Sequence, residues 1–165
     1  MPTKANHQTS GPAASELALE SFLPYRLSLL TNTVSQGIAS GYQRDHELTV
    51  TEWRILAVLG RFPGRTASEV VERTAMDTVA ISRAVKNLMK RGLLTRKTDS
   101  FDRRRRQLLI SEGPGRRVLE EVVPTAQNYE KELLGALNKA ERAHFDKLLG
   151  KLQEQAARLK DSAEQ

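Results

Sequence analysis

Apolar residues recur every three or four positions along most of the chain, which is the spacing of one face of an amphipathic helix. The first such stripe predicts a helix from about Pro24 to Arg44, because proline is tolerated only in the first turn of a helix. Residues 1–14 are rich in small and polar residues without this period, so we expect a disordered tail there. The stripe of the first helix consists of Leu27, Leu30, Val34, Ile38 and Tyr42.

Two capping boxes predict the starts of the next two helices. Thr49 and Glu52 have the spacing at which each side chain bonds the backbone amide of the other residue, and Thr66 and Glu69 repeat it. We expect the first of these helices to stop at 62–64, where proline and glycine follow each other, and the second to stop near residue 74.

A longer helix follows, from Asp77 or Thr78 to Arg91, and Gly92 ends it in a left-handed conformation. At 100° per residue its apolar positions 81, 85 and 88 fall on one side, which must face a core. The opposite side is predicted to be exposed and carries Thr78, Val79, Ser82, Arg83, Lys86 and Lys90.

The pattern changes after Gly92. Short runs at 93–98 and 107–110 flank a charged segment, which predicts a two-stranded hairpin that must pack on the preceding helices. Ser111 should cap another helix, with Pro114 in its first turn, which Pro124 interrupts or kinks before it resumes to about residue 137. A last helix should open at residues 138–141 and carry an apolar stripe from 145 to 159. The predicted fold is therefore mainly α with a small β-hairpin.

Two short helices, a turn, a longer helix and a basic hairpin are typical of a winged helix-turn-helix that binds DNA. The segment 73–106 holds eleven basic and three acidic residues, a net charge of +8, whereas the whole chain carries +6. Such a concentrated charge favours a polyanion partner, although a solvated basic face is the alternative. The predicted DNA-binding residues are Thr66, Ser68, Thr78, Val79, Ser82, Arg83, Lys86, Lys90, Arg103, Arg104, Arg105 and Arg106.

Several classes of function are disfavoured by what the sequence lacks. It contains no cysteine, which excludes disulfides and thiolate chemistry, and no apolar run long enough to span a bilayer. His46 and His144 are isolated, and no glycine-rich phosphate loop is present. We therefore expect a cytoplasmic protein without membrane association that is not an enzyme, with no metal site and no cofactor.

This layout resembles the MarR family of bacterial regulators, named for multiple antibiotic resistance. The matching segments are 48–56, 67–70, 79–88, 91–93, 102–104 and 110–112, within a span from about Leu23 to Leu159. One departure is Pro114, which stands where the family usually has glycine, with Gly115 one residue later. The resemblance implies a single MarR-type domain at 15–165, with a winged helix-turn-helix at about 46–111 and dimerisation helices at 15–45 and 112–162.

The resemblance also implies a homodimeric repressor of a pseudo-palindromic operator in double-stranded DNA. The apolar stripes of the first and last helices favour the same dimer, since a compact winged domain offers them no obvious cover, and packing within one chain is the alternative. Family members usually release DNA when a small aromatic or phenolic acid, or its coenzyme A thioester, enters a cleft. By position that cleft would be lined by Tyr25, Arg26, Tyr42, Trp53 and Arg54.

A rival function is a constitutive or architectural winged-helix protein that binds nucleic acid by charge and senses no small molecule. Preference for one DNA sequence over random DNA separates the two, because a regulator should favour its site by roughly 10³-fold or more.

Overall fold

The computed structural model describes residues 17–98, 102 and 104–163. The predicted tail at 1–14 and Arg103 of the predicted hairpin lie outside the described residues. The chain divides into two units, Met1–Gln36 and Gly37–Gln165, and the second contains the buried core.

The fold is mainly α-helical with one antiparallel hairpin, as the pattern predicts. The hairpin pairs Leu94 with Ile110 at its base and Thr98 with Arg106 at its far end. The elements in chain order are α1 Leu23–Ser40, α2 Gln43–His46, α3 Val50–Arg61, α4 Ala67–Thr74, α5 Thr78–Lys90, β1 Leu94–Thr98, β2 Arg106–Ile110, α6 Pro114–Leu134 and α7 Lys139–Ala163.

Both capping boxes are present, and each fixes the start of a helix. Thr49 Oγ1 accepts from the Glu52 amide at 3.2 Å, and Glu52 Oε2 accepts from the Thr49 amide at 2.9 Å. The same pair of bonds joins Thr66 and Glu69 at 3.3 and 2.7 Å. These bonds satisfy amides that have no partner inside the first turn, so α3 and α4 begin where the sequence predicts.

Helix α5 has the boundaries that its sequence predicts. Asp77 Oδ1 accepts from the Ala80 amide at 2.9 Å, which caps the first turn. At the other end Gly92 has φ +70°, and the amide of Leu93 bonds the carbonyl of Leu88 at 2.9 Å. Because glycine adopts this left-handed conformation without strain, the chain leaves α5 directly into β1.

Two predictions for the long helices need correction, since the first helix is shorter than predicted and Pro124 does not interrupt the later one. The first helix does not reach Arg44: it ends at Ser40, where the amides of Gly41 and Tyr42 bond carbonyls three residues back, and a separate helix α2 follows. Helix α6 runs without a break through Pro124 to Leu134. The missing proline amide removes one helical bond, and the neighbouring Val122, buried in the core, favours the continuous path.

Helix α6 lies close to the end of α1 because glycines leave room for it. A Cβ built at Gly37 would stand 2.2 Å from Tyr129 Oη, and one at Gly41 would stand 2.5 Å from Thr125 Cγ2. The start of α6 is equally tight, since a Cβ at Gly115 would meet the Leu93 carbonyl oxygen at 2.2 Å. Ser111 does not occupy the cap position itself, which is Gly113, but its hydroxyl accepts from the Gly115 amide at 2.9 Å.

The core lies where α3, α4, α5 and the hairpin meet. The apolar side predicted for α5 is fully buried, and β2 is bonded through Leu108 to the loop before α4 on both its amide and its carbonyl. We define the wing as residues 94–110. Its strand β2 is therefore hydrogen-bonded to the loop before α4, although it comes after α5 in the sequence. Core side chains include Ile55, Leu56, Leu59, Val70, Ile81, Val85, Leu88, Leu94 and Leu108.

Candidate nucleic-acid interface

The outward side of α5 is exposed along its whole length, as predicted. Val79 keeps 53% of its surface accessible, and the polar residues of this face are likewise exposed. A row of hydroxyl, guanidinium and ammonium groups on a helix braced by a core can enter a major groove, where such groups bond base edges and phosphates. We call Thr78, Val79, Ser82, Arg83, Lys86 and Lys90 the outer face of α5.

A second group of predicted residues meets in a cleft between the start of α4 and the wing. Thr66 and Ser68, from α4 and its cap, lie across from the wing arginines that the structure describes, around a volume of about 370 Å³. Sequence reasoning missed Arg96, which also lines this cleft from β1. Its available signal was the strand register, in which it pairs with Leu108. The cleft is lined by Thr66, Ala67, Ser68, Arg96, Arg104, Arg105, Arg106 and Leu108.

One carboxylate stands among these cations and orders them. Glu69 Oε1 accepts from Arg65 Nη1 at 2.9 Å and from Arg105 Nη2 at 3.0 Å, while Oε2 serves the capping box. The hydrogen bond from the Thr66 amide, followed by bonds from the Arg65 and Thr66 side chains, lowers the pKa of Glu69 from 4.5 to about 2. Glu69 is therefore a full anion at neutral pH, and it holds Arg105 against α4.

The far end of the wing is a turn that begins at Asp102. Its carboxylate Oδ1 accepts from the Arg104 amide at 2.9 Å, and its carbonyl accepts from the Arg105 amide at 2.9 Å. Aspartate favours such turns because its short side chain can bond the backbone two residues ahead. Arg104, Arg105 and Arg106 are all exposed, and Arg105 also reaches Glu69.

Three of the residues predicted to bind a small molecule, Tyr42, Trp53 and Arg54, belong to the unit that contains the core. Trp53 lines a cavity of about 350 Å³ between α3 and α6, and Tyr42 packs on Trp53 with ring centroids 5.7 Å apart. Arg54 is partly buried nearby, whereas Tyr25 and Arg26 are exposed in the N-terminal unit. The cavity is lined by Trp53, Ala57, Gly60, Arg61, Leu119, Val123, Ala126 and Gln127.

Tyr42 is the most unusual of these residues. It is 1% exposed, and its hydroxyl has no hydrogen-bond partner within the part of the chain that the structure describes. Burial raises the pKa of Tyr42 to about 12, against the opposing positive charge of Arg54. The phenol therefore stays protonated at neutral pH and retains an O–H group that can donate a hydrogen bond.

Comparison with known proteins agrees with this geometry. A model of the MarR family matches residues 46–105, the stretch from the end of α2 to the wing. The transcriptional regulator HosA of Escherichia coli is 24% identical over 106 residues, covering 64% of this chain and 78% of HosA.

Solved structures of transcriptional regulators are also similar to this chain in fold and sequence. A probable transcriptional regulator from Pseudomonas aeruginosa is 29% identical with a TM-score of 0.70, covering 81% of this chain and 98% of that one. BpsR of Bordetella bronchiseptica, whose DNA binding is regulated by 6-hydroxynicotinic acid, is 25% identical with a TM-score of 0.72, covering 84% and 97%.

Residues 46–105 of the chain thus match the MarR family.

These matches support DNA-binding transcriptional regulation as the function of the chain, and the matched proteins are regulators, not enzymes. Among the described helices none is long and apolar enough to cross a membrane.

Proposed function

We propose that this regulator is a homodimeric repressor that binds a pseudo-palindromic operator and releases it when a small aromatic acid binds. The observation that carries the proposal is the exposed outer face of α5 beside the arginine-lined cleft of the wing. A helix and a wing of one domain can contact adjacent grooves, and a two-fold dimer repeats that contact one helical turn away on DNA.

Within this proposal the residues of α5 have different tasks. Arg83 donates two parallel bonds to a guanine, and Thr78 and Ser82 bond a neighbouring base or phosphate. Val79, exposed and apolar, contacts a thymine methyl group. Lys86 and Lys90, nearer the end of the helix, bind phosphates and contribute affinity without reading sequence.

The cleft supplies the second set of contacts. Thr66, Ser68, Arg96 and Arg104 surround a space about the start of α4, where backbone amides and guanidinium groups together suit a phosphate. The last wing arginine, Arg106, is exposed beside them. Arg105, which the sequence groups with these DNA contacts, is better placed to hold the wing on α4 through Glu69.

The exposed apolar side chains of α7 support the dimer. Phe145, Leu148, Leu152 and Leu159 keep between 46% and 61% of their surface accessible, at the spacing of one helix face. A contiguous apolar stripe of this length is unfavourable in water and is typical of an interface. In the N-terminal unit Leu27 and Leu30 of α1 are similarly exposed, which gives the dimer a second apolar surface.

The cavity beside Trp53 supports the small-molecule response. Its 350 Å³ falls at the small end of the range for ligand pockets, enough for one aromatic ring with its substituents. An indole wall suits stacking, and Arg61 at the rim can pair with a carboxylate. BpsR, which responds to 6-hydroxynicotinic acid, gives a precedent for this ligand class. A coenzyme A thioester would place its acyl group here and the remainder outside.

The experiment measures mass and DNA binding together. Sedimentation should give twice the monomer mass of 18.5 kDa. A duplex of about 25 base pairs, enriched by the protein from a random pool, is long enough for two half-sites. Against a scrambled duplex of the same composition we expect roughly 10³-fold preference. Salicylate or 6-hydroxynicotinic acid should then weaken binding about tenfold or more, the usual size of such coupling.

Matched variants locate the response. Ala126→Leu fills the cavity and should abolish release while leaving DNA affinity unchanged, whereas Ala140→Leu on exposed α7 should behave like the unaltered protein. Equal affinity for both duplexes would favour the architectural alternative. If the protein strongly prefers the enriched duplex and no aromatic acid alters that preference, the result would support a constitutive regulator.

A further inference from the structure

The carboxylate of Glu52 does more than cap α3. Glu52 is 2% exposed, and its Oε2 accepts from both the amide and the hydroxyl of Thr49, at 2.9 and 3.1 Å. That oxygen alone completes the capping box. The other oxygen, Oε1, accepts a hydrogen bond from Nδ2 of Asn87, a residue 35 positions away on α5. A buried anion at the start of α3 is thus bonded to the helix that carries the outer face.

Arg91, at the end of α5, makes a second attachment to the same region. Its Nη1 donates to the Glu47 carbonyl at 3.1 Å and stands 4.0 Å from Glu52 Oε2, while Nη2 donates to the His46 carbonyl. Glu47 has φ 48°, in the left-handed region, as the chain turns from α2 towards α3. The planar guanidinium therefore bonds two successive carbonyls and also faces the buried carboxylate.

These attachments lie in one row along α5 with the residue that we propose reads a base. Arg83, Asn87 and Arg91 are spaced four residues apart, so each stands about 6 Å further along the helix and slightly rotated from the last. Two fixed points at this separation restrict both the rotation of α5 about its axis and its tilt. A bidentate bond from Arg83 to a base depends on both angles.

We propose that Glu52, Asn87 and Arg91 are positioning residues that set the angle of α5 for reading DNA. We call these three residues the Glu52 network. The inference rests on the proposed role of α5. Glu52 is buried, whereas Arg91 is half-buried and Asn87 is exposed. Directional hydrogen bonds to a buried carboxylate specify one arrangement of the elements they join, whereas apolar packing of Ile81, Val85 and Leu88 tolerates small rotations. The core therefore holds α5 in place, and the network determines which way its outer face points.

An exchange of partners tests this directly. Asn87→Asp sets two carboxylates against each other, and Asn87→Ala removes the donor without adding charge. Combining Glu52→Gln with Asn87→Asp restores one amide-to-carboxylate bond in the opposite direction, at the net charge of the unaltered protein. Glutamine remains compatible with the capping box. Arg91→Lys keeps the charge but cannot bond two carbonyls as a planar fork.

The readout is the ratio of affinities for the enriched and scrambled duplexes, alongside thermal unfolding. We expect Asn87→Asp and Asn87→Ala to lower the ratio about tenfold, within what one misaligned bidentate contact loses. The double exchange should return the ratio to within about twofold of the original, since compensating changes in one contact are strongly coupled. Arg91→Lys should lower the ratio while leaving the affinity for scrambled DNA nearly unchanged, because phosphate binding needs less exact alignment.

Arg83→Ala serves as the control for the proposed role of α5. If it lowers the ratio while the Asn87 variants lose only thermal stability, the network is merely structural and the inference is wrong, although α5 still reads DNA. If the double exchange fails to restore the ratio, re-forming the bond between positions 52 and 87 does not recover DNA reading, and the inference is again wrong. If Arg83→Ala leaves the ratio unchanged, the proposed role of α5 in reading DNA is wrong. The inference about the Glu52 network depends on that role and is then wrong as well.

Discussion

Adjacent wing arginines should affect DNA binding in different ways, since the structure gives them different neighbours. Arg104 is exposed beside the cleft at the start of α4, whereas Arg105 contacts Glu69 through Nη2 at 3.0 and 3.3 Å from the two carboxylate oxygens. The perturbations are Arg104→Ala, Arg105→Ala and Glu69→Gln. The last of these keeps a side chain that the capping box accepts but removes the charge that holds Arg105.

The expected magnitudes follow from the two environments. Each phosphate neutralised by a cation contributes about 0.9 to the slope of log affinity against log salt. Arg104→Ala should therefore reduce the slope by about one. Arg105 is 41% exposed and paired with a carboxylate that is 27% exposed, so the pair contributes about 0.2–1 kcal/mol. Losing it should weaken binding by at most about fivefold, through a less ordered wing, with little change of slope.

The assay is a salt titration of binding to the enriched duplex, between about 50 and 200 mM, where the slope is well defined. Glu69→Gln should make the slope steeper, because Arg105 becomes free to meet a phosphate and an anion beside the DNA is lost. Equal reductions of slope for Arg104→Ala and Arg105→Ala would refute the reasoning, since Arg105 would then leave Glu69 and bind DNA in the complex.

Two further predictions concern stability. The pKa of Glu69 is lowered from 4.5 to about 2, so its ionised form stabilises the fold fully above pH 4.5 and that contribution is lost as pH falls towards 2. The thermal unfolding temperature of Glu69→Gln should accordingly depend less on pH between about 2 and 4.5 than that of the unaltered protein. If the two proteins show the same pH dependence, other groups cause it. Gly115→Ala would bring a Cβ to 2.2 Å from the Leu93 carbonyl oxygen, whereas nothing lies within 4 Å of one at Gly113. Urea unfolding should show a loss of about 1–3 kcal/mol for Gly115→Ala and under about 0.5 kcal/mol for Gly113→Ala, and similar losses would contradict the crowding.

Features fixed by neighbouring residues could be predicted from the sequence. The capping boxes at Thr49 and Thr66 involve bonds between residues three apart, so the sequence alone locates the starts of α3 and α4. The buried side of α5 follows from its period for the same reason. The residues of the outer face follow from that same period, although their role in binding remains a prediction.

Features that depend on distant residues could not be predicted. The end of the first helix at Ser40 accompanies the packing of Tyr42 on Trp53, eleven positions along the chain. The path of α6 through Pro124 depends on core contacts that no local rule contains. The pairing of Arg105 with Glu69 joins residues 36 positions apart, and a run of four arginines gives no sign that one of them bonds a carboxylate of α4.

The outer face of α5 has a consequence for how such regulators can diversify. Its side chains project into solvent. The buried residues of α5 are those at positions 81, 84, 85 and 88, and the residues at positions 87 and 91 make the hydrogen bonds to the region of α2 and α3. The proposed DNA reading, the core packing and the proposed positioning thus use separate sets of residues on the thirteen-residue helix α5 and its C-cap residue Arg91. The residues at positions 78, 79, 82 and 83 can consequently be substituted without disturbing the core. An engineer could recombine them to retarget the protein to a new operator while the fold remained the same.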